Sequence, residues 1–519
     1  MPGSSFDLII IGAGINGAGI ARDASMRGLT VLLIDKADLS SGTTSFSTRL
    51  IHGGLRYLEH FEFGLIRESL RERENLLRIA PHLVKAIPIL IPIYKRGTRG
   101  RTTIQAGMIA YDILSFDKKL PRHRMLKREE TQALHPGLNP DGLVGAAVYY
   151  DCQVEFPERL VLENILSAKE HGAEVLTYTR VTKLEDGVVE FVQEGHDVKI
   201  VSGNVVVNAA GPWVDRVLAH SETQRLIGGT KGSHIVVDSF PGAPSTAVYV
   251  EAESDHRPFF VIPWNHSYLI GTTDVRFEND LDEVSSEMWE VDYLLTETNR
   301  VFPDAHLQRS NVCYTYSGVR PLPFTSDEDA RKITRRHFIR EDIGNRNLLS
   351  IIGGKLTTYR SLAEECLDLV FQKLGRKAPP CQTSEIPLPG ALDLTLPDTK
   401  LPEAVTRRLE RIYGSRTRLL LDLCRDRPGL AKPFNKAGDA LSAEVVFSFE
   451  NELAQTLSDC LLRRTMLGLN RDLAIGDDEV AAEIGKHFLG WSNERAQQEL
   501  SDHRKALKRM RLVQSVPSV

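Results

Sequence analysis

Apolar positions near the start of the chain fall in short, uninterrupted runs. Asp7 to Ile11 is apolar and β-branched, a helix-compatible stretch follows from Ile15 to Arg27, and Thr30 to Ile34 is apolar again. That order predicts a strand, a glycine turn, a helix and a second strand. Two later runs have the same character: Asn204 to Ala210, closed by Gly211-Pro212, and Leu348 to Ile352, closed by Gly353-Gly354. Continuous apolar runs with a loop at the carboxyl end predict buried strands of a parallel sheet. In Thr230–Asp238, Phe259–Thr273 and Val312–Arg320 the pattern changes to alternation with aromatics, which predicts an antiparallel sheet inserted between the parallel strands. From Arg376 to Pro402 the chain is rich in Pro, Gly and Thr, and beyond it the periodicity is charged and helical.

This segmentation predicts an α/β protein with a discontinuous nucleotide-binding domain (1–60, 140–225 and 335–375) and a cap on a mixed sheet (61–139 and 226–334). A linker (376–402) and an all-helical C-terminal domain (403–519) complete it. A chain of 519 residues exceeds what one hydrophobic core usually organises, which agrees with several domains. With 26% charged and 42% hydrophobic residues, a largely disordered chain is excluded, and a net charge of -5 argues against nucleic acid as a partner. Six scattered cysteines, with no CxxC pair and no Cys/His cluster, read as reduced thiols and offer no metal site. The first apolar run, Leu8 to Ile11, is too short for a signal peptide, so an intracellular protein is expected. Ala86 to Tyr94, cut by Pro88 and Pro92, falls well short of the roughly 20 residues of a spanning helix, and any membrane contact is expected to be peripheral.

The turn after the first strand reads Gly12-Ala13-Gly14-Ile15-Asn16-Gly17. In such a turn the first glycine permits the bend, the second lets backbone approach a pyrophosphate, and the third lets the helix pack on the sheet. The helix N-terminus then faces the phosphates, and Asp35, at the tip of the second strand, is placed to accept hydrogen bonds from ribose hydroxyls. The next stretch, Ser40 to Gly54, is dense in small hydroxyl residues and glycine, which supplies hydroxyls to a pyrophosphate and bare backbone beside a flat ring.

Within it, STRLIHGGLRYL (Ser47 to Leu58) closely resembles the flavin-proximal segment of the FAD-dependent glycerol-3-phosphate dehydrogenases. NAAGPW (Asn208 to Trp213), KGSHIV (Lys231 to Val236), IGTTD (Ile270 to Asp274), SGVRP (Ser317 to Pro321) and GGKLTTYR (Gly353 to Arg360) follow in the family's order. The likeness spans residues 5 to 370 and weakens in the helical part. It implies a glutathione-reductase-like FAD domain, a substrate cap and a C-terminal helical domain. It implies oxidation of sn-glycerol 3-phosphate to dihydroxyacetone phosphate by hydride transfer to non-covalent FAD, with electrons passed to a membrane quinone. The stretch Leu322 to Thr334 is short where related oxygen-using oxidases typically carry a long insertion, which favours the dehydrogenase. An oxidase, a relative acting on glycine or sarcosine, and a catalytically silent flavin-binding protein that acts through protein partners are the alternatives.

The expected FAD-binding residues are Gly12, Gly14, Asn16, Gly17, Asp35, Lys36, Thr43, Thr44, Ser45, Ser47, Thr48, Leu50, His52, Gly53, Gly54, Val181, Ala210, Gly211, Gly354, Lys355, Leu356 and Thr357. A phosphate dianion calls for guanidinium donors, and Arg56, Arg320 and Arg335 lie in or beside the motifs. His234 is the leading base, because imidazole titrates near neutrality, with His52 and Arg320 as rivals. Tyr57, Thr272 and Thr273 are expected to hydrogen-bond substrate, and Lys355 is expected to place a positive charge beside the reduced flavin. Ile104 to Phe116 is apolar around most of a helix and is flanked by Lys95, Arg96, Arg99 and Arg101 on one side and by Lys118, Lys119, Arg122 and Arg124 on the other. That pattern predicts an interfacial helix in segment 95–124 that docks on anionic lipid. A homodimer, held peripherally on the cytoplasmic face of the inner membrane, is expected.

Overall fold

The computed structural model describes residues 5–193, 196–218, 225–325, 336–342, 344–393 and 401–512, with the side chains of Arg56, Glu59 and His60 left out. Among the described residues, two sheets carry the molecule. In the first, five strands run parallel in the order Leu348–Ile352, Lys199–Asn208, Ser5–Ile11, Val31–Ile34 and Glu174–Leu176. Their register brings Ile11 level with Asn208 and Ile34, so the carboxyl ends open onto one crevice. The runs that predicted buried strands are therefore neighbours. Helix Ile15–Met26 packs against the helices Pro157–Glu170 and Tyr359–Lys373 on one face. Close packing there depends on Gly19, where a Cβ would sit 2.6 Å from the Tyr359 ring.

The second sheet has ten strands and is mixed, because Ala247–Glu251 runs parallel to Val84–Tyr94 while the other pairs are antiparallel. The run with Pro88 and Pro92 is thus a strand, its prolines four residues apart and so on one edge. The segment Phe259–Thr273, expected in an antiparallel sheet, forms two antiparallel strands, Pro258–Trp264 and Ser267–Gly271, joined by a turn in which Asn265 and His266 both have positive φ. One expected boundary moves. Leu143–Val154 pairs along its length with Val84–Tyr94, so the start of the 140–225 segment belongs to the cap sheet and not to the nucleotide domain. The linker is also corrected over its first half: Arg22 donates to Thr383 and Ile386 carbonyls, and Leu388 is fully buried with its N–H on Ile79. Buried donors seeking carbonyls hold this segment on the nucleotide domain.

Helices Glu403–Tyr413, Thr417–Asp426, Ser442–Asn451, Asp477–Phe488 and Asn493–Ala506 form the expected C-terminal domain. It is bolted to the rest by buried charge. Arg159 pairs with Glu452, and a π-turn at Cys460–Arg464 delivers two successive arginines, Arg463 and Arg464, to the carboxylate of Asp38.

Segment 95–124 contains a helix, Arg101–Leu114, but only one face of it is outward. Met108 and Tyr111 are buried, and the Tyr111 hydroxyl donates to Asp151 and accepts from Gly53 N–H. The basic flank is less available than the pattern implied: Arg99 pairs with Glu251, Lys118 with Asp112, Arg124 with Glu130, and Arg101 donates to the Leu126 carbonyl. Ile113 and Phe116 remain 65% and 78% exposed, and Phe61 is 77% exposed. Among the described residues no helix is long and apolar enough to cross a membrane.

Candidate active site

A cavity of about 1380 Å³ opens at the carboxyl ends of the parallel strands. Gly12, Gly14, Asn16, Asp35, Lys36, Thr43, Thr44, Ser47, Val181, Ala210, Gly211, Gly354, Lys355 and Leu356 all line it. Gly12 has φ +109, and a Cβ there would meet the Ala209 carbonyl at 2.6 Å. A Cβ on Gly17 would strike the Gly12 carbonyl at 1.8 Å, so the helix can start this close to the strand only without side chains. Thr44 Oγ1 accepts from Ile15 N–H at the helix start, and Thr43 Oγ1 donates to the Val319 carbonyl, which ties the hydroxyl loop to the cap. Asp35 accepts from the amides of Ala13 and Ala37, while burial pushes its carboxyl up to about 6. The buried Oδ1 of Asn16 has no partner among the described residues. A glycine-lined cradle, a carboxylate at the strand tip and an unmatched amide oxygen suit an extended dinucleotide.

Other expected cofactor residues stand outside the cavity lining. Ser45 donates to the Ser40 carbonyl, Leu50 is buried in the cap sheet, and Thr357 bonds both the N–H and the carbonyl of His52. Gly54 has φ +78, and any Cβ there would collide with the Tyr57 ring at 2.1 Å. Lys355 Nζ sits 3.8 Å over that same ring.

The catalytic candidates gather on the cap strands. His234, fully buried on Thr230–Val237, lies opposite Tyr316 on one neighbour and Gly271 on the other. Its Nε2 is 2.9 Å from Thr48 Oγ1, and its ring stacks 4.9 Å from Tyr316. Desolvation, with the positive charges of Arg320 and Arg49, holds the imidazole well below its usual 6.5. Arg320 pairs with Asp274 at 3.0 Å and reaches Thr272 Oγ1 at 3.3 Å. Gly232 leaves the room for it, since a Cβ there would sit 2.4 Å from the guanidinium. Thr273 faces the other way: its hydroxyl donates to Glu290 and accepts from Ser233 N–H, so Thr272 is the member of the pair beside Arg320. The Arg56 side chain and the whole of Arg335 lie outside the described residues.

The model of the FAD-dependent oxidoreductases matches residues 7–360, and that of the C-terminal domain of alpha-glycerophosphate oxidase matches residues 381–496. The chain belongs to the FAD-dependent oxidoreductase family. It is 47% identical to a glycerol-3-phosphate dehydrogenase of Synechocystis over 96% of both chains, and 38% identical to a D-erythritol 1-phosphate dehydrogenase of Brucella abortus over 88% of this chain and 94% of that one. The solved glycerol-3-phosphate dehydrogenase of Bacillus halodurans, complexed with FAD, superposes with a TM-score of 0.79 at 28% identity, covering 98% of this chain and 96% of that one. The enzyme is FAD-dependent, and the glycine turn and strand-tip carboxylate of the cavity fit such a dinucleotide.

Several residues of the flavoprotein's site carry no expectation from sequence. Asp274 orients Arg320, and Arg49 inside the STRLIHGG segment makes a buried two-point pair with Glu158 while stacking 4.5 Å over Trp264. Asp38 fastens the C-terminal domain beside the cleft. Asp38 stands three residues after Asp35 and Arg463-Arg464 is an adjacent basic pair, but nothing in their spacing joins positions over 400 residues apart.

Proposed function

We propose that this enzyme oxidises sn-glycerol 3-phosphate to dihydroxyacetone phosphate and passes the electrons to a membrane quinone. The observation that carries the reading is a buried neutral imidazole, His234, one strand from a guanidinium, Arg320, beside the FAD cleft. Bound FAD supplies a two-electron acceptor for the hydrogen carried on the alcohol carbon. His234 takes the hydroxyl proton, which a neutral imidazole accepts and an imidazolium cannot. Arg320, held by Asp274 and Thr272, offers the donors for the phosphate dianion, with Arg56, Tyr57 and Arg335 completing that pocket. Lys355, over Tyr57, supplies positive charge where negative charge develops as the substrate's electrons leave it.

The same reading places the enzyme against a lipid surface, since a quinone dissolved in lipid is reached only from the bilayer. Phe61, Phe63, Ile113 and Phe116 are exposed on adjoining elements, tied together by Arg67, which pairs with Asp117, donates to the Leu114 carbonyl and lies 4.6 Å over Phe116. Phe61 follows directly on the turn Leu55–His60 that holds Tyr57, so the apolar face starts beside the site. The Brucella relative keeps a longer polyol phosphate as the alternative substrate. Comparing kcat/KM for glycerol 3-phosphate, erythritol 1-phosphate and glycerol tests the assignment. The highest value is expected for glycerol 3-phosphate, and a preference for the four-carbon phosphate would overturn it.

A further inference from the structure

The cofactor cleft has a roof, and the C-terminal domain supplies it. Helix Asn493–Ala506 and the turn Leu507–Met510 put Lys505, Lys508 and Arg509 on the wall of the same cavity that Gly14 and Thr44 line. Arg509 is anchored there: its guanidinium lies 4.6 Å over the ring of Phe46, two residues beyond Thr44, and Phe46 is backed by Gly318, where a Cβ would sit 2.9 Å from it.

The charges around this cavity are unevenly matched. Lys36 is taken by Asp282, Arg463 by Asp38 and Asp459, and Arg495 by Glu499. The acidic groups nearest in sequence are also engaged, Glu499 by Leu457 N–H and Arg495, Asp502 by Gln498. Lys505, Lys508 and Arg509 have no carboxylate partner among the described residues. Arg509 is open to the cavity, yet enclosure by the protein and the like charge of Arg463 pull its guanidinium down to about 10. A cation so placed is short of an anion. The opposite wall holds the helix start and hydroxyl loop suited to a diphosphate.

We propose that Arg509, flanked by Lys505 and Lys508, binds the FAD diphosphate from the C-terminal domain, which makes that domain the lid of the cofactor cleft. The π-turn latch on Asp38 sets the lid's position, and the diphosphate neutralises the cations that face it. Cofactor retention and domain docking are then linked, each strengthening the other.

The test uses the full chain stripped of FAD and titrated with FAD by fluorescence at low and high salt, for wild type, Arg509→Gln and Arg509→Lys. Arg509→Gln is expected to weaken FAD binding roughly ten- to hundredfold and to flatten its salt dependence, with Arg509→Lys recovering most of both. Equal affinity in wild type and Arg509→Gln would overturn the proposal, as would equal losses in the Gln and Lys variants with unchanged salt dependence. Should Arg509→Gln fail to fold, the double variant Lys505→Gln, Lys508→Gln gives the same readout with a smaller expected loss, and wild-type affinity in it would count against the lid. Hydrogen exchange supplies a second signature: amides of 495–511 are expected to exchange more slowly with FAD bound, and identical rates with and without FAD would contradict the linkage.

Discussion

Thr48 Oγ1 stands 2.9 Å from Nε2 of His234, while Nδ1 of the same ring is buried without a partner among the described residues. An imidazole held this way, beside two arginines, stays neutral well below its ordinary 6.5. Only the neutral form accepts a proton, so flavin reduction by substrate should stay level from pH 8 down past 6.5 and fall only at lower pH. Replacing His234 with Ala should slow that reduction by about 100- to 10,000-fold without lowering FAD content. Stopped-flow reduction across this pH range checks both points, and an unchanged rate in the variant would move the base to His52 or Arg320.

Arg320→Ala should raise the apparent KM for glycerol 3-phosphate far more than for glycerol. A charge-assisted contact to phosphate is worth about 1.5–3 kcal/mol, or roughly one to two decades in KM. Steady-state kinetics with both substrates decide the matter. Equal losses for the two would place Arg320 in the chemical step.

Asp38 receives Arg463 and Arg464 in a buried cluster, and their charges hold its carboxyl down to about 2 against burial, which acts to raise it. Its folded value lies below the ordinary 3.8, so the latch contributes stability above that value and loses it as pH falls toward 2. Removing one partner of such a cluster leaves buried charge uncompensated, at a cost of about 3–5 kcal/mol. Asp38→Asn should therefore lower the Tm by several degrees at pH 7, and the gap from wild type should close on acidification. A gap that holds constant down to pH 2 would contradict this account.

Membrane attachment should depend on the exposed apolar side chains more than on the flanking basic residues, since Arg99 and Lys118 already have carboxylate partners. Ile113→Glu with Phe116→Glu should abolish co-sedimentation with anionic liposomes while activity toward a soluble acceptor persists. Binding equal to wild type at low salt would refute this docking face.

Much of the nucleotide domain was legible from local rules. The Gly12 to Gly17 turn, the apolar runs at Asn204 and Leu348 and the strand-tip Asp35 each declare themselves over a few residues, and the parallel register joins them as expected. His234 and Arg320 were legible only through motifs, because what makes them neighbours is pairing across sheet strands, Thr230 against Arg320 and His234 against Tyr316. Leu143–Val154 was misplaced for the same reason: its apolar pattern fits either sheet, and only its partner, Val84–Tyr94, assigns it. The latch on Asp38 and the cations at 505–509 were not legible at all, since charged residues on a helical tail read as solvated until the tertiary fold shows what they face.

The most direct test of the whole account is anaerobic mixing of the FAD-loaded enzyme with glycerol 3-phosphate, followed by reoxidation with a short-chain quinone or with air-saturated buffer. The flavin absorbance is expected to bleach on substrate addition and to return much faster with the quinone than with oxygen. Absence of bleaching would remove glycerol 3-phosphate as substrate, and recovery as fast with oxygen as with quinone would make the enzyme an oxidase.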